Sequence, residues 1–165
     1  MPRLPNIFAA SACLFAAAWA APAAAQSANS HDMALTASVE SSCTVATTDM
    51  AFGVLDTTVP RVDTTATITV TCASTTVFKI QIDNGDNASG SQRRMANGSG
   101  DFINYQVYRN NNRTQVWGLA PTSARNGIIV KGGSADYTAY GRLTGITPTT
   151  PTGEYSDMLT VWVEF

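Results

Sequence analysis

Gly153-Glu154-Tyr155-Ser156-Asp157-Met158-Leu159-Thr160-Val161-Trp162-Val163-Glu164-Phe165 is the stretch that decides the fold. Leu159, Val161, Val163 and Phe165 fall on one side of a period-two ribbon, with Thr160, Trp162 and Glu164 on the other. Such alternation belongs to a β-strand with one face against a core. The apolar side runs on to Phe165, and neither a turn nor a further strand follows to cover it. The expectation is a buried-type strand whose free edge needs a partner from elsewhere.

Outward from that strand, the same alternation recurs. In residues 66–72, Ile68, Val70 and Cys72 share one face and Thr67, Thr69 and Thr71 the other. Residues 77–83 bury Phe78, Ile80 and Ile82 and expose Lys79 and Gln81. Residues 102–109 place Ile103, Tyr105 and Val107 together, and residues 136–143 do so for Tyr137, Ala139, Gly141 and Leu143. Met50 to Leu55 adds a further apolar stretch. Between these segments lie turn formers: Pro60, Asn110 to Asn112, Asn126-Gly127, Lys131-Gly132-Gly133, and Pro148, Pro151 and Gly153. Residues 84–100 read as one long polar loop. Helical i, i+3, i+4 arrays are absent outside the first segment, and Thr and other β-branched residues dominate. The fold class is all-β, a sandwich or barrel of short strands.

Residues 1–25 read as a signal peptide. Arg3 supplies the positive start, Ile7 to Trp19 the apolar run, and Ala23-Ala24-Ala25 the small-residue cleavage site. The run is too short for a membrane span, and Cys13 sits badly for lipid attachment. Removing 25 of the 165 residues leaves 140 for a single domain. It also takes Arg3 from the 10 Lys and Arg that face 12 Asp and Glu. The slightly acidic remainder has no electrostatic basis for binding nucleic acid. Cys43 and Cys72 remain, and an even pair in an exported chain reads as a disulfide. Closing a loop of about 30 residues contributes roughly 3–4 kcal/mol in the chain-entropy model.

Residues 26–40 form a polar leader followed by a second alternating ribbon, Met33, Leu35, Ala37 and Val39 against Ala34, Thr36, Ser38 and Glu40. It is either the first strand of its own domain or a spare strand. The rest, residues 41–165, is the β-domain. The lone histidine, His31, lies in this leader, so neither a Ser-His-Asp triad nor a histidine metal site is expected. Asp83, Asp86 and Asn87 lack the alternating ligand spacing of a calcium loop. Arg93-Arg94 is too short for a basic patch, and the sequons at Asn87, Asn97 and Asn112 depend on the host. Asp83, Asp101, Asp136, Glu154 and Asp157 have no spacing that marks a two-carboxylate glycosidase. The expectation is no catalytic residue, no metal and no cofactor.

Cys43, Phe52-Gly53, Ile68-Thr69-Val70-Thr71-Cys72, Asp83-Asn84-Gly85, residues 104–109 (NYQVYR), Trp117-Gly118, residues 137–142 (YTAYGR) and residues 153–157 (GEYSD) occur in this order ahead of the last strand. Together they resemble the spore coat protein U domain family, the fold of Csu-type archaic chaperone–usher pilins, over essentially the whole mature chain. The resemblance implies an immunoglobulin-like sandwich lacking its last strand and completed by a donor strand. It implies a non-enzymatic pilus subunit that polymerises by strand addition. Its partners would be other pilin subunits, a periplasmic chaperone and an outer-membrane usher, and it would pass through the periplasm to the cell surface. On this expectation Met33, Leu35, Ala37 and Val39 are the donor residues, and Leu159, Val161, Val163 and Phe165 line the acceptor groove. The alternatives are a secreted carbohydrate-binding sandwich using Trp117, Tyr108 and Tyr140 as a stacking face, or a structural coat protein.

Overall fold

The computed structural model describes residues 34, 36–38 and 42–165. Residues 1–25, where a signal peptide is expected, and Met33, Leu35 and Val39 lie outside the described residues. Met1–Ala37 and Ser38–Phe165 are separate units. Of the first, Ala34, Thr36 and Ala37 are described, each exposed and in no strand.

The second unit contains β1 (Cys43–Thr47), β2 (Arg61–Cys72), β3 (Thr76–Ile82), β4 (Arg93–Ala96), β5 (Phe102–Tyr108), β6 (Arg125–Ile129), β7 (Gly133–Thr144) and β8 (Val161–Glu164). No helix occurs among the described residues. One sheet runs β1-β2-β7-β5-β4 and the other β6-β3-β8. Every strand pairing is antiparallel. An Ala96–Ser156 bridge joins β4 to the segment that leads into β8, so the larger sheet curls toward the smaller.

The period-two pattern explains the layers. In the β2–β7 ladder Ile68 opposes Tyr137 and Ala66 opposes Ala139, while Thr67 and Thr69 face outward with Thr138 and Asp136. From the facing sheet, Phe78, Ile80 and Ile82 of β3 complete the core with Val70, Val107 and Leu143. Trp117 is fully buried, and its indole N–H donates to the Ile80 carbonyl at 2.9 Å. That placement removes it from any stacking face, which corrects the expectation made for the carbohydrate-binding alternative.

Two further expectations are corrected. The polar loop at 84–100 contains β4, whose Arg93 is 1% exposed. Its guanidinium donates to the carbonyls of Ile82, Asp83 and Trp117 and to Gln106 Oε1. Burial lowers its pKa. Paired only with neutral acceptors, it cross-links β3, β4, β5 and the Trp117 turn. Gly127 does not sit in a turn but inside β6, where a Cβ would collide with the Tyr137 hydroxyl and the Phe78 ring.

Candidate functional site

Both sheets end on strands with one free edge. Thr48 N–H donates to Thr67 O and Ala73 N–H to Ser42 O, so the even-numbered residues of β1 turn their backbone groups to β2. The odd ones, Cys43, Val45 and Thr47, turn theirs the other way. They find no backbone partner there among the described residues. Opposite Cys72, Val70 and Ile68, they point their side chains inward.

The chain from 156 to 164 repeats this arrangement. Ser156 exchanges both bonds with Ala96, Asp86 N–H donates to Met158 O, and Asp83 N–H donates to Thr160 O. Even residues thus face β4 and β3. Leu159, Val161 and Val163 turn to the other side backbone groups that are unpaired among the described residues, and apolar side chains to the interior. Counting antiparallel steps from β1 through β2, β7, β5 and β4 to Ser156 makes β1 and β8 antiparallel to each other.

Between these two edges the core is open where residues 47–52 face residues 155–161, while farther along β1 and β8 approach within 8 Å between Cα atoms. A groove of two adjoining compartments, about 700 and 360 Å³, runs along it. Leu159, Val161, Ile68, Ile82, Val107 and Ala139 line the narrower one. Leu55, Ile103, Ile146 and Pro151 line the wider. Met50, Phe52, Met95, Tyr155 and Ser156 belong to both. The apolar stretch 50–55 is therefore not a strand but an irregular wall. Gly141 makes room for it, since a Cβ there would strike Met50 Sδ and press on the Phe52 ring.

Polar contacts hold the β8 wall. Asp157 accepts from the Tyr105 hydroxyl (2.6 Å) and from the Asn87 backbone and side-chain amides (3.0 Å each). Gly85, at φ 84°, is required beneath it, because a side chain there would overlap the carboxylate. Burial first, and then this bond to Asp157, push the Tyr105 hydroxyl well above its ordinary pKa. Asp83 Oδ1 accepts from Gly85 N–H and Thr160 N–H, Asp136 from Thr69, and Asp101 from Asn97. These carboxylates serve local structure. Among the described residues no cluster of three metal-ligating side chains occurs.

The expected site residues distribute as follows. Cys43 and Cys72 form a disulfide that ties β1 to β2. Leu159 and Val161 line the narrower compartment. Val163 packs on the core beyond it, and Phe165 lies past the end of β8, 56% exposed. Of the donor set, only Ala37 is described. Sequence reasoning missed the opposite wall, Thr47, Met50 and Phe52. The alternation of Cys43, Val45 and Thr47 was the signal available for its first part.

No curated protein matches the chain. Among solved structures the chain is similar to a chain of the CsuC–CsuE chaperone–tip adhesion subunit pre-assembly complex from archaic chaperone–usher Csu pili of Acinetobacter baumannii. The TM-score is 0.58 at 23% identity, over 77% of this chain. This chain spans 40% of that one's length, and the likeness is one of fold. The family model of the Spore Coat Protein U domain matches residues 29–162, and the chain belongs to that family.

Proposed function

We propose that this protein is a structural, non-enzymatic subunit of a chaperone–usher surface pilus. The observation that carries the reading is the apolar groove flanked by two unpaired strand edges, β1 and β8. An exposed strand edge over an open core is an association hazard. A strand from another chain removes it by pairing its backbone along the edge and seating alternate side chains in the groove. Residues 26–40 supply such a strand, with Met33, Leu35, Ala37 and Val39 on its apolar side. The segment 33–39 matches the free edge 157–163 in length, about 20 Å at the usual strand rise. Since donor and groove are different surfaces, their pairing repeats without closing and yields a fibre.

The fold shared with a component of a chaperone–subunit complex supports a periplasmic chaperone as the temporary occupant. Neighbouring subunits are the permanent ones, and an outer-membrane usher is the site of exchange. The signal segment directs export and the fibre stands at the cell surface. The full chain is expected to polymerise, and deletion of residues 26–39 or Leu35→Asp is expected to leave it unpolymerised, because the carboxylate would enter an apolar groove unpaired. Electron microscopy and gel filtration measure this directly; fibres from the truncated chain would overturn the reading.

A further inference from the structure

We propose that the groove sets the register of its incoming strand through a constriction that admits only a small side chain, and that Ala37 is the residue that passes it. The inference rests on the donor-strand reading above. The two compartments meet at residues that line both: Met50 and Phe52, from the segment after β1, form one jaw, and Met95 and Tyr155, from β4 and the approach to β8, the other. Neither jaw is free to withdraw. Met50 and Phe52 are seated in the hollow left by Gly141, and the Thr64 hydroxyl donates to the carbonyl of Ala51 between them at 2.7 Å. Phe52 also lies edge-on to the buried Tyr105 ring, with centroids 6.2 Å apart. On the other side the Tyr155 hydroxyl donates to Pro151 O at 2.9 Å, and Ser156 is held by both bonds to Ala96.

A strand crossing this point presents one inward side chain to the jaws, with its inward neighbours two residues away on either side, about 6.6 Å along. Among Met33, Leu35, Ala37 and Val39, only Ala37 ends at Cβ. With Ala37 between the jaws, Met33 and Leu35 fall in one compartment and Val39 in the other. A shift by two residues drives Leu35 or Val39 into packed side chains. A shift by one turns Thr36 and Ser38 inward and the whole apolar set outward.

The test uses the full chain carrying Leu35→Asp, whose own donor is disabled, refolded with synthetic peptides spanning residues 32–40. The natural peptide is expected to bind. The same peptide with Ala37→Leu is expected to bind about ten-fold more weakly or worse, the usual penalty for added methylenes in a filled space. Met50→Ala in the chain should restore the Ala37→Leu peptide while still accepting the natural one. If Met50→Ala does not fold with the natural peptide, Phe52→Leu takes its place as the widened jaw. Equal binding of the two peptides, or failure of the widened jaw to restore the larger one, overturns the register and leaves the donor reading standing. A natural peptide that binds no better than one carrying Leu35→Asp overturns the donor reading, and the register with it.

Discussion

Ile80 and Val163 sit directly opposite each other in one antiparallel ladder and both face the interior, yet Ile80 is fully buried and Val163 is only half so. Val70 and Val45 make the same contrast across the other sheet, at 0% and 40% exposure. The members of each pair have the same orientation and similar chemistry. They differ in what lies beyond them: another strand on one side, the free edge of a sheet on the other. Alternation in a sequence reports which way a side chain points; its burial depends on the neighbour that follows.

The contrast can be broken most directly by truncation. Ile80→Ala removes side-chain atoms from a closed core and is expected to cost about 4 kcal/mol in urea unfolding. Val163→Ala removes half-hydrated atoms and should cost about 1 kcal/mol. Comparable losses at the two positions would mean that the open side is as well packed as the closed one. The paired replacement of Cys43 and Cys72 by Ser comes next, with roughly 3 kcal/mol lost for a sequence separation of 29 residues. Hydrogen exchange sharpens that result, because the loss should concentrate in the amides of β1 and spare those of β7.

Tyr105→Phe is the smallest change, about 1 kcal/mol at neutral pH for the bond to Asp157. Its pH dependence identifies it. Tyr105 has a folded pKa raised above its unfolded value, so its contribution is fully present below about pH 10 and is lost as pH rises further. The natural chain should therefore weaken in alkali more steeply than the Phe variant. Parallel curves would remove Tyr105 from the network that holds the β8 wall.

Much of the closed side was legible in the sequence. The inward sets of β2, β3, β5 and β7 follow from period-two alternation, and the Cys43–Cys72 pairing follows from an even count in an exported chain. The rest depended on tertiary contacts that no local pattern carries. Arg93 read as part of a polar loop because its acceptors are backbone carbonyls from two separate segments and the Gln106 side chain from a third. Gly127 followed Asn126 like a turn glycine, but Phe78 and Tyr137 are what require it. The wall at 48–57 has no strand period, and Met50 and Phe52 find their places through the missing side chain of Gly141. One wall of the groove was thus visible from the last strand, while most of the other became visible only in three dimensions.

The position of the disulfide has a mechanical consequence. Cys43 is the first residue of β1, immediately after residues 26–42, and Cys72 is the last residue of the twelve-residue β2, which is paired along its length with β7. A pull on the N-terminal segment therefore meets a single backbone bond, Ala73 N–H to Ser42 O, and then a covalent link before it reaches the hydrogen bonds within β1. Load passes through the sulfurs into the β2–β7 ladder and bypasses a five-residue edge strand that would otherwise peel away bond by bond. In a fibre whose subunits are joined through that segment, the disulfide sets the path of tension through each link, with β1 free to serve as a groove wall and not as a tether.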